Sequence, residues 1–503
     1  TNKGITWTEV SPDLTRNEKS KQGKGGAPLT NEGAGGENYG TLSYVVESPH
    51  EAGVIWAGSD DGLVHITRNG GESWENVTPV GLQECLINAI EVSPHDPGTA
   101  YIATTRYKFN DFTPSAFKTT DYGKSWTPIS SGVPYGSFIR VVREDEKRKD
   151  LLFSGTETGL YVSFNGGQNW IPLQLNLPVT PILDILVRHN DIIAATSGRS
   201  FWILDDLPLI RQFTDIAEGY HIYQPEDVYR VFAGSPLNQT DIDFDGSNLT
   251  AGVNPASGAV IYYTLPDLAD SIEVQLELYN MEGDLVRQFS SLENDLIEYD
   301  GGPSKDPLLS KNQGLNRFVW DLRYPTLTGT PKAYMEGSFQ GHVAPPGRYN
   351  VILSCADQRI KTSFEILPDP RIEANSDQYF RQHETMLRIA NTVNAMHQAV
   401  NALQRIKQQL HSLQGRIEDD EILGKTLTQL VERIDIWDKQ IVQRKSKSYD
   451  DVINFENGLS AYYLFVKSNL SSSIPLVTDG VIEQLVNLDK QWGALNDEFM
   501  KIL

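Results

Sequence analysis

An eight-residue pattern recurs through the first part of the chain and restricts its fold more than any other feature. The complete copies are Thr67-Arg68-Asn69-Gly70-Gly71-Glu72-Ser73-Trp74, Thr119-Thr120-Asp121-Tyr122-Gly123-Lys124-Ser125-Trp126 and Ser163-Phe164-Asn165-Gly166-Gly167-Gln168-Asn169-Trp170. Each sets a hydroxyl residue, then Asp or Asn two positions on, Gly two further and Trp three beyond. Asn2-Lys3-Gly4-Ile5-Thr6-Trp7 reads as the tail of another copy whose beginning is missing. The chemistry is local: the Asn or Asp side chain bonds backbone groups across a turn, Gly permits a tight or positive-φ conformation, and Trp packs between neighbouring units. Asn69, Gly71, Trp74, Asp121, Gly123, Trp126, Asn165, Gly167 and Trp170 are therefore expected to be structural rather than catalytic.

Short apolar runs keep time with this box. Leu42–Val46, Val54–Gly58 and Leu63–Thr67 lead into the first complete copy, and the order returns in Ile87–Val92, Ala100–Thr104, Ala116–Thr119 and in Phe138–Val142, Leu151–Gly155, Leu160–Ser163. A last unit, Ile182–Val187, Ile192–Thr196 and Phe201–Leu204, replaces the box with Thr196-Ser197-Gly198-Arg199-Ser200. Small sheets that cannot bury their own faces must stack on neighbours, so residues 1–211 are predicted to be the C-terminal blades of a β-propeller. The cut first copy predicts at least one more blade, in a missing region or a separate chain.

Beyond this region the pattern changes twice. Residues 222–368 carry alternating runs, including Ala259–Leu265, Ile272–Tyr279 and Arg348–Ser354, and predict an Ig/fibronectin-like β-sandwich. Within it, Asp241-Ile242-Asp243-Phe244-Asp245-Gly246 has the alternating carboxylates of a calcium loop, although Gly252 stands where a bidentate Glu is needed. Asp241, Asp243 and Asp245 are thus candidate Ca²⁺ ligands, the alternative being a solvated acidic loop. Met386, Ile389, Val393, Met396, Val400, Leu403, Leu410 and Leu413 then follow helical spacing, and residues 374–503 are predicted to form an antiparallel helical bundle. The predicted fold class is multidomain and mainly β, with partial propeller, sandwich and bundle in that order.

Composition narrows the partners. With 43 Lys plus Arg against 66 Asp plus Glu the formal charge is −23, which opposes attraction to nucleic acid or anionic lipid. Two cysteines, Cys85 and Cys355, fall in different predicted domains and make no disulfide framework. The sequence has no apolar run long enough for a direct membrane span.

The segments Gly58-Ser59-Asp60-Asp61-Gly62-Leu63, Tyr107-Lys108-Phe109-Asn110-Asp111-Phe112, Gly155-Thr156-Glu157-Thr158-Gly159-Leu160 and Gly198-Arg199-Ser200-Phe201-Trp202-Ile203-Leu204-Asp205-Asp206, taken with the boxes, resemble the C-terminal portion of BNR or Asp-box repeat proteins. These are the sortilin-like (VPS10-like), glycosyl-hydrolase-related proteins common in Bacteroidota. The resemblance implies an exported location, periplasmic, outer-membrane-associated or extracellular. It implies no single activity, because Asp boxes occur in enzymes and in binding proteins.

A glycoside hydrolase needs two facing carboxyl groups, for which Asp60, Asp61, Glu157, Asp184, Asp205 and Asp206 are the candidates. Arg68, Arg106, Arg140 and Arg199 do not form a recognisable sialidase cluster. His65, His95 and His189 lack a nucleophile elbow, and His383, His397 and His411 lack a compact ligand spacing. No catalytic residue is assigned and no cofactor beyond possible Ca²⁺ is expected. The reading is a noncatalytic propeller that binds protein or glycan, its partner being another protein or the missing part of the same propeller. The alternative is a polysaccharide-cleaving hydrolase with a carboxylate pair in the propeller cleft.

Overall fold

The computed structural model describes residues 4–22, 39–213, 219–231, 235, 252, 254–296, 298–299, 301–414, 421–451 and 453–503. The chain divides into two compact units, residues 1–215 and 216–503.

The first unit is a succession of antiparallel sheets, each a meander in chain order. Sheet one comprises β1 (Leu42–Glu47), β2 (Ile55–Ser59), β3 (Val64–Thr67) and β4 (Glu75–Asn76). Sheet two comprises β5 (Leu86–Val92), β6 (Ala100–Thr105), β7 (Ala116–Thr119) and β8 (Thr127–Pro128). Sheet three comprises β9 (Ile139–Glu144), β10 (Leu152–Thr156), β11 (Leu160–Ser163) and β12 (Ile171–Pro172). Sheet four has β13 (Ile182–Arg188), β14 (Asp191–Thr196) and β15 (Phe201–Leu204), followed by α1 (Leu207–Gln212). Sequence reading finds three strands per repeat and misses β4, β8 and β12. These two-residue edges follow directly on each box Trp and are exposed, so no apolar alternation betrays them.

First strands of consecutive sheets pack against each other, β1 on β5, β5 on β9 and β9 on β13, with no comparable contact from β13 back to β1 among the described residues. Small residues let the sheets approach. A Cβ on Gly58 of β2 would lie 2.5 Å from Ile87 of β5, and one on Gly155 of β10 would lie 2.8 Å from Ile182 of β13. The consequence for burial is unequal. Every residue of β6 and of β10 is buried, since sheets two and three are covered on both faces, whereas sheet four buries Ile182, Ile185, Ile192 and Ala194 on one face only.

In the second unit, a three-stranded sheet pairs β18 (Ala259–Leu265) with β16 (His221–Ile222) and β21 (Gly314–Trp320). A five-stranded sheet runs in the order β17 (Val228–Tyr229), β23 (Gln358–Leu367), β22 (Gly347–Cys355), β19 (Val274–Tyr279), β20 (Leu285–Ser290). One core that includes Ile261, Tyr263, Leu276, Phe318, Trp320, Val351 and Phe364 joins both sheets. β17 lies parallel to β23, a pairing too short to read in sequence. The helices are α2 (Ser376–Gln414), α3 (Glu421–Ile441), α4 (Leu459–Leu470) and α5 (Asp479–Ile502). Met386, Ile389, Val393, Met396, Val400 and Leu403 of α2 are buried with Ile434, Trp437, Tyr463, Leu464 and Leu485, while Leu413 is exposed. Leu327, Ala333, Met335 and Phe339, from the segment between β21 and β22, enter the same helical core.

Two glycines of the boxes separate backbone strain from steric strain. Gly70 has φ +71° with open space around its missing Cβ, while Gly123 has φ +83° and a Cβ there would lie 2.7 Å from Val77. Gly70→Ala is expected to cost about 1–2 kcal/mol, and Gly123→Ala about 1–3 kcal/mol more, because it adds overpacking to left-handed strain. Urea unfolding midpoints of the two variants measure the difference.

Candidate functional site

Each box is a closed hydrogen-bonded loop. The Thr119 hydroxyl donates to the Asp121 carboxylate (2.8 Å) and accepts from the Gly123 N–H (2.9 Å), and Asp121 accepts from the Ser125 N–H (2.9 Å) and hydroxyl (2.6 Å). The Ser125 hydroxyl and N–H hold the Asp121 carboxyl down to about 2. Thr67, Asn69, Gly71 and Ser73 repeat the pattern, as do Ser163, Asn165, Gly167 and Asn169. The box Trp reaches out of its own repeat. Trp74, Trp126 and Trp170 donate their indole N–H to the carbonyls of Val10, Val77 and Ile129 at 2.8, 2.7 and 2.5 Å. Those acceptors stand three residues after Trp7, Trp74 and Trp126 respectively. The box glycines bear on the same residues, since a Cβ on Gly71, Gly123 or Gly167 would strike Val10, Val77 or Ile129. Sequence reading anticipates packing of the Trp; it misses the acceptor, although the spacing is visible in the chain.

The centre of the first unit is polar. Arg143 of β9, mostly buried, donates to Glu91 of β5 (3.2 Å), Asp184 of β13 (2.7 Å), the Tyr44 hydroxyl of β1 (3.0 Å) and the Ile185 carbonyl (3.0 Å). One guanidinium thus ties together the first strands of all four sheets. Burial pushes the Glu91 carboxyl up to about 7 against the lowering pull of Arg143. Burial also works against the Arg143 charge, but Glu91, Tyr44 and Asp184 together raise it above its ordinary range. Of these residues, Asp184 alone was a candidate from sequence; Glu91 and Arg143 carry no local motif.

The remaining acidic candidates are engaged in turns. Asp60 accepts from the Gly40 and Thr41 N–H groups, and fully buried Asp61 accepts from the Ser59 hydroxyl and the Arg16 N–H. Glu157 pairs with Arg140 at 2.6 Å. Burial raises Asp205 to about 6, with Asp191 and Asp206 adding to it, and Asp206 sits at the start of α1 with φ 61°. Beside the Arg140–Glu157 pair, Tyr107 stacks on Phe138 with centroids 5.2 Å apart, Phe112 stands edge-on to Tyr135, and Tyr135 is 71 % exposed. Arg140 lies over both Tyr107 and Phe138.

The other basic and histidine candidates are scattered. Arg68 covers the Tyr122 ring, Arg106 pairs with Asp111, and the Arg199 carbonyl accepts from the Trp202 indole. His65 is driven down by burial, His95 bonds the Asp145 carbonyl, and the His189 N–H donates to Glu146. His383 bonds His342, His397 bonds the Thr328 carbonyl, and His411 bonds Gln414. Asp241, Asp243 and Asp245 lie outside the described residues. Among the described residues no three His, Cys, Asp or Glu side chains are grouped as metal ligands, and no helix is long and apolar enough to cross a membrane.

No family model matches the sequence, and no curated protein matches it. Solved structures similar to it include YCF48 bound to D1 peptide, at 18% identity and TM-score 0.27 over 33% of this chain and 51% of that one. The Niastella koreensis GH74 enzyme is similar at 17% identity and TM-score 0.28, over 44% of this chain and 35% of that one. YCF48 from Cyanidioschyzon merolae is similar at 20% identity and TM-score 0.27, over 45% and 68%. The match thus spans about half of the first structure and about a third of the second. At this level of likeness no activity, ligand or partner passes to this chain.

The central cluster sets a pH dependence. The Glu91 carboxyl binds its proton more tightly folded than unfolded, so its contribution is fully present below about 4.5 and is lost as pH rises through about 7. Glu91→Gln is expected to match the parent at pH 5 and to exceed it by about 1–3 kcal/mol at pH 8. Urea unfolding across that range checks this, and a variant weaker at pH 8 refutes it.

Proposed function

We propose that residues 1–211 are consecutive Asp-box blades of a β-propeller, that other blades of the same kind complete its ring, and that the ring is a noncatalytic module binding protein or glycan. The observation that carries this is the uncovered face of sheet four. Leu183, Leu186, Phe201 and Ile203 are 49, 53, 76 and 60 % exposed there, and Leu42 and Val45 of β1 are 41 and 58 % exposed at the other end of the array. The equivalent strands of sheets two and three are buried by the next sheet. Covering each of these side chains contributes roughly 1–2 kcal/mol, so a neighbouring sheet is the natural occupant. Val10, which receives the Trp74 indole as Val77 receives Trp126, supports the same reading.

Binding is favoured over hydrolysis by the state of the acids. Asp60, Asp61 and Glu157 serve turns and an ion pair, and Glu91 and Asp184 are both bound by Arg143, so none of these five is an uncommitted carboxyl group. The aromatic cluster of Tyr107, Phe112, Tyr135 and Phe138 beside Arg140 and Glu157 is suited to stacking on a sugar ring or a protein side chain. The resemblance of the box repeats to exported Asp-box proteins supports an exported or cell-surface assembly for this module, with the sandwich and bundle as spacing and docking parts.

Native mass spectrometry of the protein from its own cells tests the reading. The expected result is a retained chain or segment that itself carries the box pattern, and its loss in a Leu186→Ser, Phe201→Ser double variant whose melting midpoint is unchanged. A stable monomer with no retained partner or ligand refutes it.

A further inference from the structure

The residue three past each box Trp is used twice. The Val77 N–H donates to the Val64 carbonyl at the start of β3 (2.9 Å), while the Val77 carbonyl accepts the Trp126 indole of the next repeat. Ile129 does the same with Ala116 of β7 and with Trp170. Each closes the fourth strand of its own sheet and receives the latch of the sheet that follows. Two places in the first unit hold only half of this arrangement. Val10 accepts the Trp74 indole, but the segment Trp7-Thr8-Glu9-Val10 that leads to it belongs to no sheet. Trp7 is 90 % exposed, and among the described residues the Val10 N–H has no partner. Sheet four is the other half: it has three strands where sheets one to three have four.

Register fixes where its missing strand belongs. Phe201 opposes Ala195 as Val64 opposes Gly58, Ala116 opposes Ala103 and Leu160 opposes Gly155. The Ser200 carbonyl accepts from Thr196 of β14, so by the alternation of an antiparallel ladder Phe201 and Ile203 turn their N–H and C=O groups away from β14. Among the described residues nothing pairs with those groups. An edge of this kind is a template for a further strand. In sheet one the strand that fills it sets Asn76 opposite His65 and Glu75 opposite Ile66, positions equivalent to Trp202 and Ile203. Trp7-Thr8-Glu9-Val10 matches Trp74-Glu75-Asn76-Val77 and Trp126-Thr127-Pro128-Ile129 in length and in the aliphatic residue that ends it.

We propose that the open edge of sheet four takes residues 8–10 of a second copy of this chain as its fourth strand. The Val10 N–H of that copy donates to the Phe201 carbonyl, with its Glu9 opposite Trp202 and its Thr8 opposite Ile203. The inference rests on the ring reading above and names the partner that supplies the other blades. A second copy is the occupant because this segment carries the tail pattern without a sheet, and is held against Trp74 and Gly71 at the sheet-one end of the array. Within one molecule both halves stay exposed. Since Val10 remains latched to Trp74, the exchange brings sheet one of the second copy beside sheet four, against Leu183, Leu186, Phe201 and Ile203. Two copies that exchange these strands are related by a two-fold axis.

The test weighs the purified full chain by sedimentation in about 0.15 M salt, which screens the −23 charge of each copy. The expected mass is that of two chains. Val10→Pro removes the N–H but keeps the carbonyl that Trp74 needs, and is expected to weaken the pair about tenfold. Thr8→Cys combined with Ile203→Cys sets two thiols across the proposed ladder at about 5.5 Å between Cα atoms, within disulfide range. This double variant is expected to run as two linked chains on a non-reducing gel; Cys85 and Cys355 are buried and do not compete. A chain that sediments as a monomer, a disulfide closed within one chain, or a pair that Val10→Pro leaves unchanged overturns the proposal. The cysteine pair decides the matter even where Val10→Pro does not fold. A monomer in pure solution that retains a different box-bearing chain in its own cells overturns this proposal and leaves the ring reading standing.

Discussion

The indole N–H of one repeat on the backbone carbonyl of the repeat before it is the contact on which the first unit depends. Trp126 and Trp170 each satisfy a carbonyl that would otherwise end a strand unpaired, and each seats its box glycine on the side chain of the same residue. A buried hydrogen bond of this kind contributes only about 1 kcal/mol net, but an unmade one costs more. Its importance is therefore specificity: it sets how far and at what angle each sheet stands from the last. The small residues Gly58 and Gly155 then allow the apolar faces to close.

Much of this was legible in the chain. The box, the three long strands of each repeat and the 3/4 spacing of α2 all follow from turn chemistry and periodicity, which act over a few residues. What was hidden is non-local or too short to be periodic. The strands β4, β8 and β12 have two exposed residues each, and β17 joins a sheet built from residues far along the chain.

The polar features show the same division. Asp60, Asp61 and Glu157 could be named from sequence, but not that backbone N–H groups and Arg140 already occupy them. Arg143 and Glu91 belong to different repeats and look unremarkable in each; only the convergence of four first strands makes them neighbours. Arg230 and Lys467 lie 237 residues apart, and only folding reveals that both are buried.

Sheet four breaks the sequence of latches. Leu173 stands three residues past Trp170, where Val77 and Ile129 receive an indole, yet the only Trp of sheet four, Trp202, donates to Arg199 in its own turn. The array is therefore directional, like a zipper with a last tooth of another kind. Sheets one to three are held by both apolar stacking and a latch, and sheet four by stacking, by Arg143 and by polar contacts from the β9–β10 turn, where Glu146 accepts from the His189 N–H, Lys147 donates to Asn190 and Asp145 pairs with Arg211. In a stack governed by nearest neighbours, the junction of sheets three and four therefore depends on the side chains of one turn, where the earlier junctions depend on an indole.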